Sequence, residues 1–176
     1  ADLDLGQAEF LLDDVLQTDI SNADIVVAYY TVQFIRPSER QRLISKIYNA
    51  LKWGGAFLLF EKVRANDARF QDITTSLYNE YKIAQGYTPE EIFSKSRSLK
   101  GVLEPFSTQG NLDLLARAGF QDVLTIFKYL SFEGLLAIKW RCSWGGFAKS
   151  SSEYNTRQRL FLPESRSCSQ HLAVAR

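Results

Sequence analysis

Between Phe10 and Trp140, apolar segments of strand length alternate with stretches whose apolar residues fall three and four apart. That alternation builds a largely parallel sheet covered by helices, since a parallel connection needs a crossover long enough to hold one. The class is therefore α/β. Phe10-Leu11-Leu12, leading into Asp13-Asp14, reads as a short strand ending in acid, and Asp24 to Tyr30 as a buried one built on Ile25-Val26-Val27. Pro37-Ser38-Glu39 opens a helix with Leu43, Ile44, Ile47, Tyr48 and Leu51 on one stripe, and Gly54-Gly55 stops it before the strand Ala56 to Val63. Asn66 is the expected N-cap of a second helix that carries Phe70, Ile73, Leu77 and Tyr81 and ends at Gly86. Thr88-Pro89-Glu90-Glu91 starts a third, with threonine as cap, proline at the first helical position and glutamate at the third. Ser107 caps a fourth that ends at Gly119. Val123 to Phe132 and Gly134 to Trp140 finish the pattern as an antiparallel hairpin turning tightly around Glu133-Gly134.

The 176 residues are 45% hydrophobic and 23% charged with a formal net charge of +1, the make-up of one soluble globular domain. The longest uncharged apolar runs, such as Ala56 to Phe60, fall far short of the ~20 residues that cross a bilayer, so no membrane span is expected. Asp2, Asp4 and Glu9 are the reverse of a basic secretory leader, and the expected location is cytoplasmic. The one histidine, His171, and the two cysteines, Cys142 and Cys168, all lie in the last 35 residues. Residues 1–140 therefore hold no Cys/His zinc site, no Ser-His-Asp triad and no cysteine nucleophile. Any reaction there runs on carboxylates, tyrosines, basic groups or a bound cofactor. No metal site is expected, and the cysteines read as free thiols.

Charge and composition change together near residue 140. Residues 1–140 carry 15 Lys/Arg against 18 Asp/Glu, whereas residues 141–176 carry 6 against 2 and are rich in serine and arginine. The organisation is thus a domain over 1–140 followed by a basic, poorly ordered tail over 141–176. Nucleic-acid binding through such a tail is the weakest functional reading, because no aromatic stacking platform accompanies the charge.

A run of specific residues narrows the class: Gln33-Phe34, Pro37-Ser38-Glu39-Arg40-Gln41, Lys46-Ile47-Tyr48, Leu51, Gly54-Gly55-Ala56, Glu61-Lys62, Gly86-Tyr87, Ala118-Gly119-Phe120 and Ala137-Ile138-Lys139. In this order and spacing, over roughly residues 10 to 140, the chain resembles the carboxy-S-adenosylmethionine synthase family. The resemblance implies a Rossmann-like class I methyltransferase fold dependent on S-adenosyl-L-methionine (SAM). It further implies SAM as cofactor, prephenate as carboxyl donor, a cytoplasmic homodimer, and service to tRNA wobble-uridine modification at one remove.

The same resemblance implies site residues. Asp14, with Val15 beside it, takes the position whose carboxylate recognises the adenine of the cofactor, a sensible place for an acid at the C-terminal end of a strand. An ordinary loop acid is the alternative, and Asp13 is the competitor. Tyr29 stands where the family has asparagine, and either stacks on the cofactor or merely packs; Tyr87 joins it as a wall residue. Arg97 is the counterpart of the arginine that grips the carboxylate of the carboxylated cofactor, displaced by one residue within Lys95-Ser96-Arg97-Ser98. On a helix that displacement is a rotation of about 100°, so Arg97 is either the grip on a shifted backbone or a solvated arginine.

One part of the family pattern is missing from the sequence. Gly6 is isolated and no Asp-x-Gly-x-Gly exists, so the glycine-rich turn after the family's first strand has no counterpart. Phe10 to Asp14 already matches the third strand, and the chain reads as an incomplete, N-terminally truncated form of the fold. In the family's sheet order, 3-2-1-4-5-7-6, the absent strands separate the third from the fourth, so the fourth is expected to expose an edge that invites pairing. The functional readings are a SAM-dependent transferase of this family, or a non-catalytic truncated or recombined remnant acting as a dimerisation and interaction module.

Overall fold

The computed structural model describes residues 11–140 and 171–175. Its elements are β1 (Ala23–Tyr29), a 3-10 turn (Val32–Phe34), α1 (Pro37–Ala50), β2 (Leu51–Lys62), α2 (Ala68–Ala84), α3 (Pro89–Ser98), α4 (Thr108–Ala118), β3 (Asp122–Tyr129), β4 (Phe132–Ile138) and β5 (His171–Ala175). They form one sheet of order β3-β4-β2-β1-β5, in which β1 and β2 are parallel and every other pairing is antiparallel. The α/β class read from the alternation is the one observed, but the largely parallel sheet is not: only β1–β2 is joined by a helical crossover, and the β3–β4 hairpin and β5 add antiparallel partners on both sides of it.

Period-2 alternation decides which side chains are buried. Val26 and Ala28 of β1, Phe57 and Leu59 of β2, and Leu135 and Ala137 of β4 share one face and are at most 2% exposed. Leu43, Ile44 and Ile47 of α1 and Leu114 and Leu115 of α4 complete this core, and the Phe120 ring stacks on Phe57 at 6.0 Å. The alternate residues look the other way. There Ile25, Tyr29 and Leu124 remain 42%, 47% and 54% exposed, so the sheet has one covered face and one partly open apolar face among the described residues.

Local capping follows the sequence closely in two helices. Thr88 and Glu91 exchange the reciprocal bonds of a capping box, and Ser107 accepts from the Gly110 amide at the start of α4. Gly119 closes α4 in the left-handed region at φ +115.

Elsewhere the structure corrects the expected boundaries. Leu11–Asp14 forms no strand: Leu12 is fully exposed, Asp13 Oδ1 accepts from the Asp14 amide at 2.8 Å, and Asp14 Oδ1 accepts from the Leu16 amide at 2.9 Å. Two adjacent carboxylates bonding back to their own backbone compete with a ladder that has no neighbouring strand. Phe10 lies outside the described residues. Helix α1 ends at Ala50, and β2 begins five residues before Ala56, with a bulge between the Ala23–Leu51 and Ile25–Ala56 pairs. Asp67 rather than Asn66 caps α2, its side chain accepting from Phe70, and the helix ends at Ala84.

The hairpin turns at Leu130-Ser131, between the paired residues Tyr129 and Phe132, leaving Glu133 and Gly134 inside β4. Gly134 therefore serves close approach: a Cβ there would lie 2.6 Å from Phe60 Cε1. The edge of β1 is not bare. β5, drawn from the segment expected to lack order, pairs with it from Ile25–Ala175 to Tyr29–His171, while residues 141–170 lie outside the described residues.

Replacing Gly134 by alanine forces the Phe60 ring out of its seat on the β2–β4 ladder. Gly134→Ala is expected to lower unfolding stability by about 1–3 kcal/mol in urea titration, without changing the fold seen by circular dichroism.

Candidate functional site

Strands β1 and β2 end side by side, and the chain leaving β1 must turn sharply to reach α1. Tyr30 takes φ +54 and donates its amide to the Phe60 carbonyl at 2.9 Å, after which Thr31–Ile35 folds under the strand ends. Glu61, 3% exposed, stands in the penultimate position of β2, and its Oε1 accepts from the Val32 amide at 3.0 Å. The buried Gln33 accepts at Oε1 from the Lys62 amide, at 2.9 Å. Arg40, 1% exposed on α1, donates to the carbonyls of Ile35 at 2.8 Å and Gln33 at 3.1 Å, with its guanidinium 4.3 Å from the centre of the Phe106 ring.

The electrostatics follow from burial. Desolvation pushes the Glu61 carboxyl up to about 8, against the opposing pull of the Val32 and Gln33 amides and the positive charge of Arg40. Desolvation also lowers Arg40, offset by Glu61 and Glu104. Glu61 and Arg40 are thus groups held inside the protein by backbone partners, at the strand ends where α/β sheets bind their ligands.

On the opposite face of the same strand ends lies an aromatic wall. Tyr29 and Tyr30 meet edge to face at 4.6 Å, Tyr30 meets Phe132 at 5.6 Å, and Phe132 meets Tyr78 of α2 at 5.2 Å. Lys62 and Lys82 both reach the Tyr78 ring. Farther along α2 a cleft of about 410 Å³ opens between Arg64, Phe70, Thr108, Lys128 and Ser131. In it the Glu133 carboxylate accepts from Thr108 at 2.7 Å and from Lys128 at 3.2 Å.

The residues expected from the sequence are not gathered here. Asp14 and Val15 are tied to the C-terminal half of α1, where Lys46 Nζ donates to the carbonyls of Val15 at 3.1 Å and Leu16 at 2.9 Å. Tyr29 ends β1, next to the turn that leads into the opposite end of α1. Arg97 lies exposed in the last turn of α3, and its guanidinium has no ionic partner among the described residues. Tyr87, 47% exposed, falls in the α2–α3 connection.

These positions test the fit of SAM. Asp14 Oδ1 is engaged by Leu16, which leaves Oδ2 as an acceptor for an exocyclic amine, and Tyr29 offers an exposed ring. Among the described residues no glycine-rich turn follows a strand to let a methionine moiety approach: Gly55 lies within β2 against Asp24, and Gly134 within β4 against Phe60. The fit is partial: these positions offer a free carboxylate oxygen and an exposed ring, set toward opposite ends of α1, without a methionine cradle.

Gln33, Arg40 and Glu61 are among the residues that carry the family resemblance, and the sequence alone assigns them no role. The available signal was a carboxylate ending a strand that is otherwise apolar from Ala56 to Phe60. Such a group needs buried partners.

No family model matches the chain. It is similar to the carboxy-S-adenosyl-L-methionine synthase of Nautilia profundicola, 39% identical over 133 residues, which are 76% of this chain and 57% of the relative. The corresponding protein of Staphylococcus epidermidis is 36% identical over 138 residues, 78% of this chain and 60% of the relative. The chain thus spans little more than half the length of these relatives. Among solved structures it is similar to human N-acetylserotonin methyltransferase in complex with SAM, at TM-score 0.54 and 19% identity over 77% of this chain and 35% of that one. An O-methyltransferase family protein from Burkholderia thailandensis gives TM-score 0.53 and 16% identity over 78% of this chain and 37% of that one. At these identities the structural likeness shows the fold.

The folded protein holds a proton on Glu61 that the unfolded chain releases above the ordinary carboxyl value of 4.5. Its contribution to stability is therefore full below pH 4.5 and is lost as pH rises to about 8. The expected slope inside that window is up to about 1.4 kcal/mol per pH unit. Glu61→Gln keeps the acceptor for Val32 and removes the slope, which urea unfolding at a series of pH values measures.

Proposed function

Because this chain is a homologue of the carboxy-S-adenosyl-L-methionine synthases and has the class I SAM-dependent methyltransferase fold, we propose that it binds SAM and takes part in carboxyl transfer to it. Prephenate is the proposed carboxyl donor, and the proposed use of the product is tRNA wobble-uridine modification. The observation that carries this reading is 36% to 40% identity to relatives of that name across some three quarters of the chain.

Bound SAM supplies the reactive sulfonium chemistry, and the residues of this chain bind and orient. Asp14 is the proposed acceptor for the adenine amine, with Val15 beside it, and Tyr29 the proposed ring at the strand end. Arg97, with no ionic partner among the described residues, is the proposed grip on a substrate carboxylate. A cytoplasmic homodimer completes the proposal. No helix among the described residues is long and apolar enough to cross a membrane.

A second reading, a non-catalytic dimerisation and interaction module, is favoured by α2. It buries no residue, and Phe70, Ile73 and Leu77 line up along it at 50%, 48% and 46% exposure. Together with the open sheet face this stripe is apolar surface suited to a second copy of the chain.

Calorimetric titration of the purified chain with SAM, alone and with prephenate, separates the readings. The transferase reading expects saturable binding at micromolar concentration, weakened at least about tenfold in Asp14→Ala. It also expects a heat from prephenate that Arg97→Ala removes. A folded sample that gives no heat with SAM leaves the interaction module, which size-exclusion chromatography with light scattering then reads as a dimer.

A further inference from the structure

Lys62 closes β2 and Lys82 lies in the last turn of α2, yet both side chains converge on one ring: Lys62 Nζ is 5.1 Å and Lys82 Nζ is 4.4 Å from the centre of Tyr78. Both lysines are half-buried. The ion pairs among the described residues are Arg42–Glu39, Lys52–Asp24 and Lys128–Glu133, so neither ammonium has a carboxylate partner there. Two like charges set against one ring and partly withdrawn from water without a counter-charge destabilise a fold, and the ring quadrupole of Tyr78 offsets only part of that cost. Burial lowers both lysines from their usual range, and for Lys62 the neighbouring charge of Lys82 lowers it further.

The walls of this pair are flat and apolar. Tyr78 meets Phe132 at an interplanar angle of 68°, and Phe132 meets Tyr30 at 90°, so three rings surround the strand end from which Lys62 projects. We propose that Lys62 and Lys82, set against Tyr78, form a binding site for the carboxylate or phosphate of a small molecule with a flat apolar body, which packs against Tyr30, Tyr78 and Phe132. An incoming anion supplies the missing counter-charge and turns a repulsive pair into two charge-assisted contacts. The site rests on these residues alone, independently of SAM.

The test is thermal unfolding and calorimetry of the full chain at constant ionic strength. The probes are phenyl phosphate, inorganic phosphate, phenylacetate and acetate, with chloride as control. Saturable binding is expected for the aromatic anions, at least about tenfold tighter than for their small counterparts because of ring burial. The tighter of phenyl phosphate and phenylacetate identifies the headgroup, and equal affinity assigns both. Lys62→Met with Lys82→Met is expected to abolish the binding.

Lys82→Glu adds a diagnostic that a purely structural lysine would not show. It places a carboxylate beside Lys62, so it abolishes anion binding, while Lys82→Arg, which keeps the charge, retains it. The proposal is overturned if no anion binds saturably beyond chloride, if binding survives the double methionine variant or Lys82→Glu, or if Lys82→Arg loses it.

Discussion

The turn after β1 is pinned from both sides, and the arrangement of the strand ends depends on that clamp. Leaving a parallel strand to enter a helix exposes amides and carbonyls that neither element satisfies, and inside a protein each must find a partner. Glu61 supplies the acceptor for Val32, Gln33 takes the amide of Lys62, and Arg40 donates to the carbonyls of Gln33 and Ile35. Three side chains from β2, the turn and α1 thus close a segment of five residues into one shape. With the turn fixed, Tyr29 and Tyr30 present their rings at the sheet edge, and Lys62 leaves β2 beside them.

A second anchor acts at the opposite end of the sheet. Lys139 follows β4 and donates Nζ to the Leu51 carbonyl at 2.7 Å, while its ammonium lies 4.9 Å from Tyr48 and 5.0 Å from Trp53. A cation at the C-terminus of α1 meets the helix dipole and the carbonyls left over by the last turn. Burial lowers its pKa, and those carbonyls are what make its position tolerable. Helix α1 is therefore held at both ends by buried cations, Arg40 and Lys139, and between them its apolar stripe lies on β1 and β2. The open face of the sheet has no comparable fastening among the described residues, and it is where apolar surface remains for association.

The edge and its neighbours form a graded electrostatic surface. Glu61 and Arg40 lie deepest and are satisfied by backbone; Lys128 and Glu133 neutralise each other near the hairpin turn; Lys62 and Lys82 remain uncompensated. A surface so arranged favours anionic groups at the strand ends and disfavours cations there. That preference is consistent with the proposed small-acid substrate.

Much of the fold was written locally. The stripe Leu43, Ile44, Ile47, the capping box of Thr88 and Glu91, the Ser107 cap and the Gly119 terminator each depend on a few neighbouring residues, and each was legible in the chain. So was the buried strand around Val26, because an apolar run of that length has few other uses. What only tertiary structure decided were features set by distant partners. Asp13 and Asp14 bond to their own backbone, because no described strand lies beside them; Gly134 sits mid-strand, because Phe60 needs the space of its Cβ. The edge of β1 is taken by residues 171–175, more than 140 positions away in the chain. The proposed Lys62–Tyr78–Lys82 site was equally invisible, since β2 and α2 bring its members together only when both pack against β4. Periodicity and capping act over a few residues and can be read in order; register, close approach and charge pairing act through space, and the linear sequence does not carry those distances.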